Sequence, residues 1–415
     1  MAFAENSDLL SEEWSESWSL EPLNESEFSM AKPSAGLLNY ISLKVKSDIA
    51  YSDSLTLARG NVRVLSEGAP IENSYVKADL QFNYFNEKDD LLSEEHDEYT
   101  LKMNELWGQY SKDQCNLKLG RQSLFWGSVE GIRAVDVIAP LDLTEPLLTD
   151  FSLIRRPQDI LITSCFQSSY DFELFLIPKP LLDQYTARQN SAFENLEKTL
   201  SAEWGGRITK HSQGLDLSLY YGRFVDNTPK FFFDFNTLTP LGLYVSQFDL
   251  IGAGLVYAID RLLLEFEISY QKELSFESNK ADAYLSSKQF EETVELAFGA
   301  EYTTSTNHQF ASGVWFYEYE KHPVSAIYAD TYAINASWSK QYLNDDLTLS
   351  ALVFWQKEPE LYQFTVMADF LLNDYWSTST AMTYQDYNGE GESSLATAES
   401  EARNWTLQFS LVFEL

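Results

Sequence analysis

From residue 37 to the C-terminus the chain is built from segments of about ten residues in which apolar and polar side chains alternate. Strict alternation marks a β-strand with one dry face and one wet face. Val76, Ala78, Leu80, Phe82 and Tyr84 fall on one side, with Lys77, Asp79, Gln81 and Asn83 on the other. Leu215, Leu217 and Leu219 alternate with Asp216 and Ser218. Leu262, Leu264, Phe266, Ile268 and Tyr270 alternate with Glu265, Glu267, Ser269 and Gln271. In the last segment Trp405, Leu407, Phe409, Leu411, Phe413 and Leu415 share a face, and the pattern runs to the final residue.

Eighteen such strands are expected, at 38–49, 55–65, 75–84, 99–110, 114–121, 158–166, 169–177, 197–206, 214–224, 244–258, 262–272, 292–302, 308–318, 324–338, 346–356, 360–371, 375–385 and 404–415. A count of sixteen is compatible with the same pattern. Taken alternately, the connections 66–74, 111–113, 167–168, 207–213, 259–261, 303–307, 339–345 and 372–374 are short, whereas 85–98, 122–157, 178–196, 225–243, 273–291 and 386–403 are long. Short periplasmic turns alternating with long extracellular loops characterise bacterial outer-membrane barrels, and a soluble sandwich has no reason for such asymmetry. In hydrocarbon every backbone N–H and C=O needs an internal partner, so an open sheet edge cannot stand and the sheet must close. The expectation is therefore an all-β fold, a transmembrane antiparallel β-barrel over residues 37–415, placed in the outer membrane of a Gram-negative bacterium. A ring of that size encloses more space than side chains fill, so the lumen holds water, a plug or an infolded loop.

Composition agrees. Aromatic residues make up 15% of the 415 residues, yet the mean hydropathy is −0.28. That combination suits strands that are half lipid-facing and half wet, with rings gathered at the two interfaces. No run of eighteen apolar residues is present, so a transmembrane helix is excluded. The net charge of −34, from 63 acidic and 29 basic residues, excludes nucleic acid as a partner. The acidic loops, above all 87–98, keep the surface solvated or hold divalent cations that bridge lipopolysaccharide. No further cofactor is expected, and no His/Cys cluster has metal-ligand spacing.

Residues 1–36 form a separate unit, an acidic, Ser-rich periplasmic extension. Ala2-Phe3-Ala4 fits the small-x-small pattern that precedes a signal-peptidase cut, so the chain reads as one already trimmed. Trp14 and Trp18 stand at i and i+4, the spacing of a small docking helix, within a stretch whose composition otherwise suits a disordered tail.

One long connection breaks the alternation without losing aromatic and turn residues: segment 122–157. Arg121, Arg133, Arg155 and Arg156 lie near Asp136, Asp142, Glu145 and Asp150, together with Gln122 and Trp126. Folded into a lumen, these charges would form a constriction that selects solutes, or ion pairs that brace the segment against the wall. Arginine suits both, because its planar fork pairs bidentately with carboxylates. If the strands on either side of the segment pair so that 121 faces 159, then Cys115 faces Cys165. That register leaves a disulfide and two unpaired thiols both open.

The stretch Gly120-Arg121-Gln122-x-x-x-Trp126-Gly127, followed by Asp136-Val137-x-x-Pro140-x-Asp142, resembles a group of proteobacterial outer-membrane barrels. Some of these work beside inner-membrane exporters of the resistance-nodulation-division type. The opening Gly-Arg-Gln is also similar to that of alginate-export barrels. Relatives often carry Asn before the proline, where this chain has Ala139. The resemblance implies a barrel with an infolded segment and, as partners, an exporter or a periplasmic protein. The final strand, with Trp405, Phe409, Phe413 and Leu415, resembles the C-terminal targeting strand of outer-membrane barrels, which implies the barrel-assembly machinery. Such strands usually end in an aromatic residue, and this one ends in Leu415.

An enzyme is not expected. The four histidines are His96 in an acidic loop, His211 and His308 in periplasmic turns, and His322 before Pro323. No G-x-S-x-G elbow occurs. The expected function is an outer-membrane channel, porin-like or an export passage, in which transport is passive through a lumen narrowed by segment 122–157. The alternative is a non-conducting accessory barrel that docks a complex through residues 5–36.

Overall fold

The computed structural model describes residues 36–52, 54–85, 99–129, 132–142, 154–184, 196–234, 239–275, 290–319, 330–357, 360–387 and 405–415. Trp14, Trp18, Glu145, His96 and His322 lie outside the described residues.

The wall starts with β1 (Gly36–Ser52), β2 (Ser54–Ala69), β3 (Ser74–Phe85), β4 (Tyr99–Lys112), β5 (Cys115–Gln122), β6 (Gln158–Gln167), β7 (Tyr170–Ile177), β8 (Glu203–Ser212) and β9 (Leu215–Val225). Then β10 (Lys230–Asp234) and β11 (Thr239–Tyr244) make a separate two-stranded hairpin. The wall resumes with β12 (Gln247–Ile259), β13 (Leu262–Ser275), β14 (Phe290–Thr303), β15 (His308–Tyr319), β16 (Asp330–Tyr342), β17 (Leu347–Gln356), β18 (Leu361–Asn373), β19 (Trp376–Tyr387) and β20 (Trp405–Glu414). Each wall strand pairs antiparallel with its neighbour, β9 pairs with β12, and β1 pairs with both β2 and β20. The ring of 18 strands is therefore closed.

Alternation fixes what faces where. Leu101, Leu119, Leu219 and Ile251 are 73%, 62%, 63% and 59% exposed, and each continues an apolar outward row. A soluble protein would not display so continuous an apolar exterior. On the inner face lie buried Asp48, Asn61, Asn83, Glu267, Ser269, Gln271, Gln408 and Ser410. The barrel is dry outside and polar inside, the reverse of a globular domain. The short turns carry residues that tolerate left-handed backbone, such as Asp113 and Asp260 with φ of 54° and 51°, as tight hairpins require.

Three expectations shift. The strand placed at 197–206 runs over Glu203–Ser212, and residues 196–200 form a helical turn instead. Its turn contracts from 207–213 to Gln213-Gly214. Gly205-Gly206 reads as a strand end, but here the glycines lie inside the strand. The strand placed at 324–338 runs over Asp330–Tyr342. Hairpin β10–β11 occupies the expected loop 225–243 and, with Tyr244, the first position of the strand expected at 244–258, which begins instead at Gln247.

The last strand closes the ring. Leu43 and Leu415 exchange both backbone hydrogen bonds at 3.0 Å. Trp405 and Phe409 point outward, half exposed, and Phe413 packs on Trp376 with ring centroids 5.0 Å apart.

Candidate functional site: the infolded segment

β5 and β6 face each other up to Gln122 and Gln158, and the chain between them turns into the lumen. Both glutamines point inward and are buried. The Gln158 amide donates to the Ile138 carbonyl at 3.0 Å and accepts from the Leu181 N–H at 2.8 Å. Trp126, 1% exposed, is the main anchor. Its ring meets Phe175 of β7 and Tyr220 and Phe224 of β9 at centroid distances of 5.2, 5.4 and 5.8 Å. Its indole N–H donates to Glu173 at 2.8 Å. Val135 and Ile138 complete this cluster with inward residues of β6, β7, β9 and β12. A second cluster joins Val129, Ile132 and Ala134 to Ala297 and Trp315. Among the described residues, the apolar core of this protein is thus the interface between segment and wall.

The wall makes room for it with glycine. A Cβ at Gly205 would stand 3.0 Å from Trp126, at Gly252 3.0 Å from Val135, at Gly299 3.1 Å from Val129, and at Gly313 2.9 Å from Ile132. Gly299 and Gly313 are directly opposed in register. Glycine inside a strand weakens it unless another chain segment approaches closely, and here one does at four strands.

The segment's charges are spent on holding it. Asp136 accepts from the Trp126 N–H at 3.1 Å and from Arg155 at 2.9 Å. Arg133 donates to the carbonyls of Asp136 and Ala139 at 2.9 and 2.6 Å. Arg155 also lies 4.8 Å from the Phe125 ring centroid. Arg156 reaches the Leu182 carbonyl and, at 3.2 Å, Glu197. Asp142 pairs with Lys102 of β4 at 2.9 Å. The long connections at the same end add Asn227, which donates to the Val137 carbonyl at 3.0 Å, and Asp183, which accepts from the Leu141 N–H at 2.7 Å.

Arg121 does not join this group. It lies two residues beyond exposed Leu119, so it shares the outer face of β5, where it pairs with Asp159 at 3.2 Å. Cys115 and Cys165 are on the same face, opposed in register and joined by a disulfide at the end near the short turns.

Glu267 is the site residue that sequence reasoning missed. It sits on the inner face of β13, and its carboxylate accepts from the Ser128 and Val129 N–H groups. Alternation had put Glu267 on the wet face, but nothing local indicates that a loop 139 residues away meets it.

Away from the segment the inner wall is polar, and on β1–β4 many of its side chains pair with one another. Asp48, fully buried, accepts two hydrogen bonds from Arg59 on Oδ2, at 2.8 and 3.0 Å, and one from Ser410 on Oδ1 at 2.6 Å. Arg63 pairs with Asp79 on β3, and an amide chain links Asn104, Gln81, Asn83 and Asn61. His211 bridges Asp171 and Asp216 on this face at 2.8 Å each, whereas His308 lies on the outer row with Phe310 and contacts Trp338 and Lys340. Both stand at the end with the short turns.

No model of a known protein family matches the chain, and no curated protein does. Solved structures do. OccK3 (OpdO) of Pseudomonas aeruginosa matches with a TM-score of 0.55 at 10% identity, over 90% of this chain and 95% of that one. OpdK of the same organism, crystallised with vanillate, matches with 0.55 at 9% identity, over 90% and 98%. Wzi of Escherichia coli, an outer-membrane protein involved in group 1 capsule assembly and described as a carbohydrate-binding β-barrel, matches with 0.51 at 9% identity, over 94% and 86%. At these identities the likeness is one of fold: this chain has the closed antiparallel β-barrel of outer-membrane porins.

Proposed function

We propose that this protein is a porin-like channel of the Gram-negative outer membrane, in which a solute passes passively between the infolded segment and the polar wall of β20 and β1–β3. The observation that carries this reading is the seating of Trp126, Val129, Ile132 and Val135 against inward-facing glycines of the lumen wall. A segment folded inside a closed polar barrel narrows it without stopping water. Rows of charge at such a narrowing set which solutes pass. The likeness to OccK3 and OpdK supports a channel. Arg133, Arg155 and Arg156 are engaged by backbone carbonyls or carboxylates, so they serve as braces first. Outer-leaflet lipopolysaccharide, with divalent cations at the acidic loops, is the surrounding partner in this reading.

The likeness to Wzi favours a second reading, an accessory barrel in surface assembly. Residues 5–36, with Trp14 and Trp18, would then dock a periplasmic partner. Work beside an exporter of the resistance-nodulation-division type rests on the motif at 120–142 alone. Liposome swelling separates the two readings. Purified protein reconstituted with sugars of graded size should cause swelling that falls with sugar size. Absence of swelling, with a periplasmic partner retained only when residues 5–36 are present, would overturn the channel.

A further inference from the structure

We infer that Glu267 is a positioning residue that latches the infolded segment to the wall and so fixes the width of the passage. This rests on the channel reading above. The segment's turn at 127–129 brings two backbone N–H groups, those of Ser128 and Val129, against β13. The backbone of β13 has nothing to offer them, because it pairs with β12 on one side and β14 on the other. A buried N–H must still find an acceptor, so a side chain has to supply it. Oε1 of Glu267 does so alone: it accepts from the Ser128 N–H, from the Val129 N–H at 3.2 Å and from the Ser128 hydroxyl at 3.2 Å.

The surroundings make the residue specific. Gly127 has φ of +100°, and a Cβ there would stand 3.0 Å from Oε1, so the turn closes directly over the carboxylate. Glu295, the nearby acid on β14, already takes Gln271 at 2.6 Å and Trp315 at 2.9 Å. Oε2 of Glu267 has no hydrogen-bond partner among the described residues, although the side chain is fully buried. One acceptor oxygen therefore does the latching, and the second carboxylate oxygen is dispensable.

That division of labour gives the test. Glu267→Gln keeps one acceptor oxygen, whereas Glu267→Ala removes both. Single-channel current is recorded for wild type and both variants, and hydrogen exchange is followed in the peptide covering 124–129. The expectation is loss of the steady open level and faster exchange in Glu267→Ala, with both restored to wild-type behaviour in Glu267→Gln. Wild-type exchange in Glu267→Ala would overturn the latch whether or not the protein conducts. Equal impairment of both variants would also overturn it, because the charge or the shape would then matter rather than the acceptor. A wild-type protein that passes no current, yet shows the Ala-only acceleration, would retain the latch and remove the channel.

Discussion

Replacing Trp126 with Ala should undock the infolded segment while leaving the barrel closed. The indole is 1% exposed and touches three aromatic rings of β7 and β9. An aromatic side chain of this kind buries on the order of 200 Å², which at ~25 cal/mol per Å² is about 5 kcal/mol. Measured truncations of buried Trp cost about 3–5 kcal/mol, because neighbours collapse partway into the space. The N–H bond to Glu173 contributes roughly 1 kcal/mol of this. The strands' own hydrogen bonds do not depend on Trp126, so the cost falls on docking, a shift of roughly two to three and a half powers of ten. Trypsin reads it. In the docked segment the Arg133 guanidinium is held by two carbonyls, so cleavage after it needs an opening event, and its rate then tracks the open population. Cleavage at Arg133 should accelerate by about a hundredfold or more. Trp126→Phe, which keeps an aromatic ring in the site but loses the N–H bond and part of the ring area, should accelerate it by roughly fivefold or more and by less than Trp126→Ala. Wild-type cleavage rates in Trp126→Ala would refute the assignment of this residue as the anchor.

Further predictions concern the wall. Among the described residues, Arg59→Ala leaves buried Asp48 with Lys46 at 3.4 Å as its remaining cation. It should destabilise the folded barrel by about 3 kcal/mol, with Asp48→Asn plus Arg59→Gln costing less, as read from urea midpoints in detergent. Arg121→Ala should change neither single-channel current nor selectivity, because the Arg121–Asp159 pair faces outward and is partly exposed; its stability cost should stay under ~1 kcal/mol. Cys115→Ser with Cys165→Ser opens a bridge across 50 residues and should lower stability by about 2–4 kcal/mol. Conductance of that double variant should be unaltered, since the bridge lies on the outer face.

The strands were legible because every second residue of the wall belongs to an apolar outer face and the others to a polar inner face. The same parity shows why Arg121 was misplaced. Grouping it with Arg133 and Arg155 follows proximity in the chain, whereas counting by twos from Leu117 and Leu119 puts it outside and Gln122 inside. Gly205 illustrates the opposite difficulty. It closes the strand expected at 197–206, whereas the observed strand continues through it where Phe175 and Trp126 come within 2.8 and 3.0 Å of a Cβ position. Glu267 stood on the wet face by alternation, but its role depends on a contact across 139 residues, which no periodicity encodes. The cysteine register followed from two aligned strands, and the observed pairing has both Arg121 opposite Asp159 and Cys115 opposite Cys165.

The central claim is that segment 122–157 narrows a conducting lumen. Gln122 and Gln158 face each other across adjacent strands, so an Asn-Gly turn can replace 123–157 without moving the wall. Single-channel conductance of this deletion beside wild type in a planar bilayer is the most direct test. The account predicts steady openings in the wild-type protein and distinctly larger ones in the deletion. Equal conductance in the two, or none in either, would contradict it.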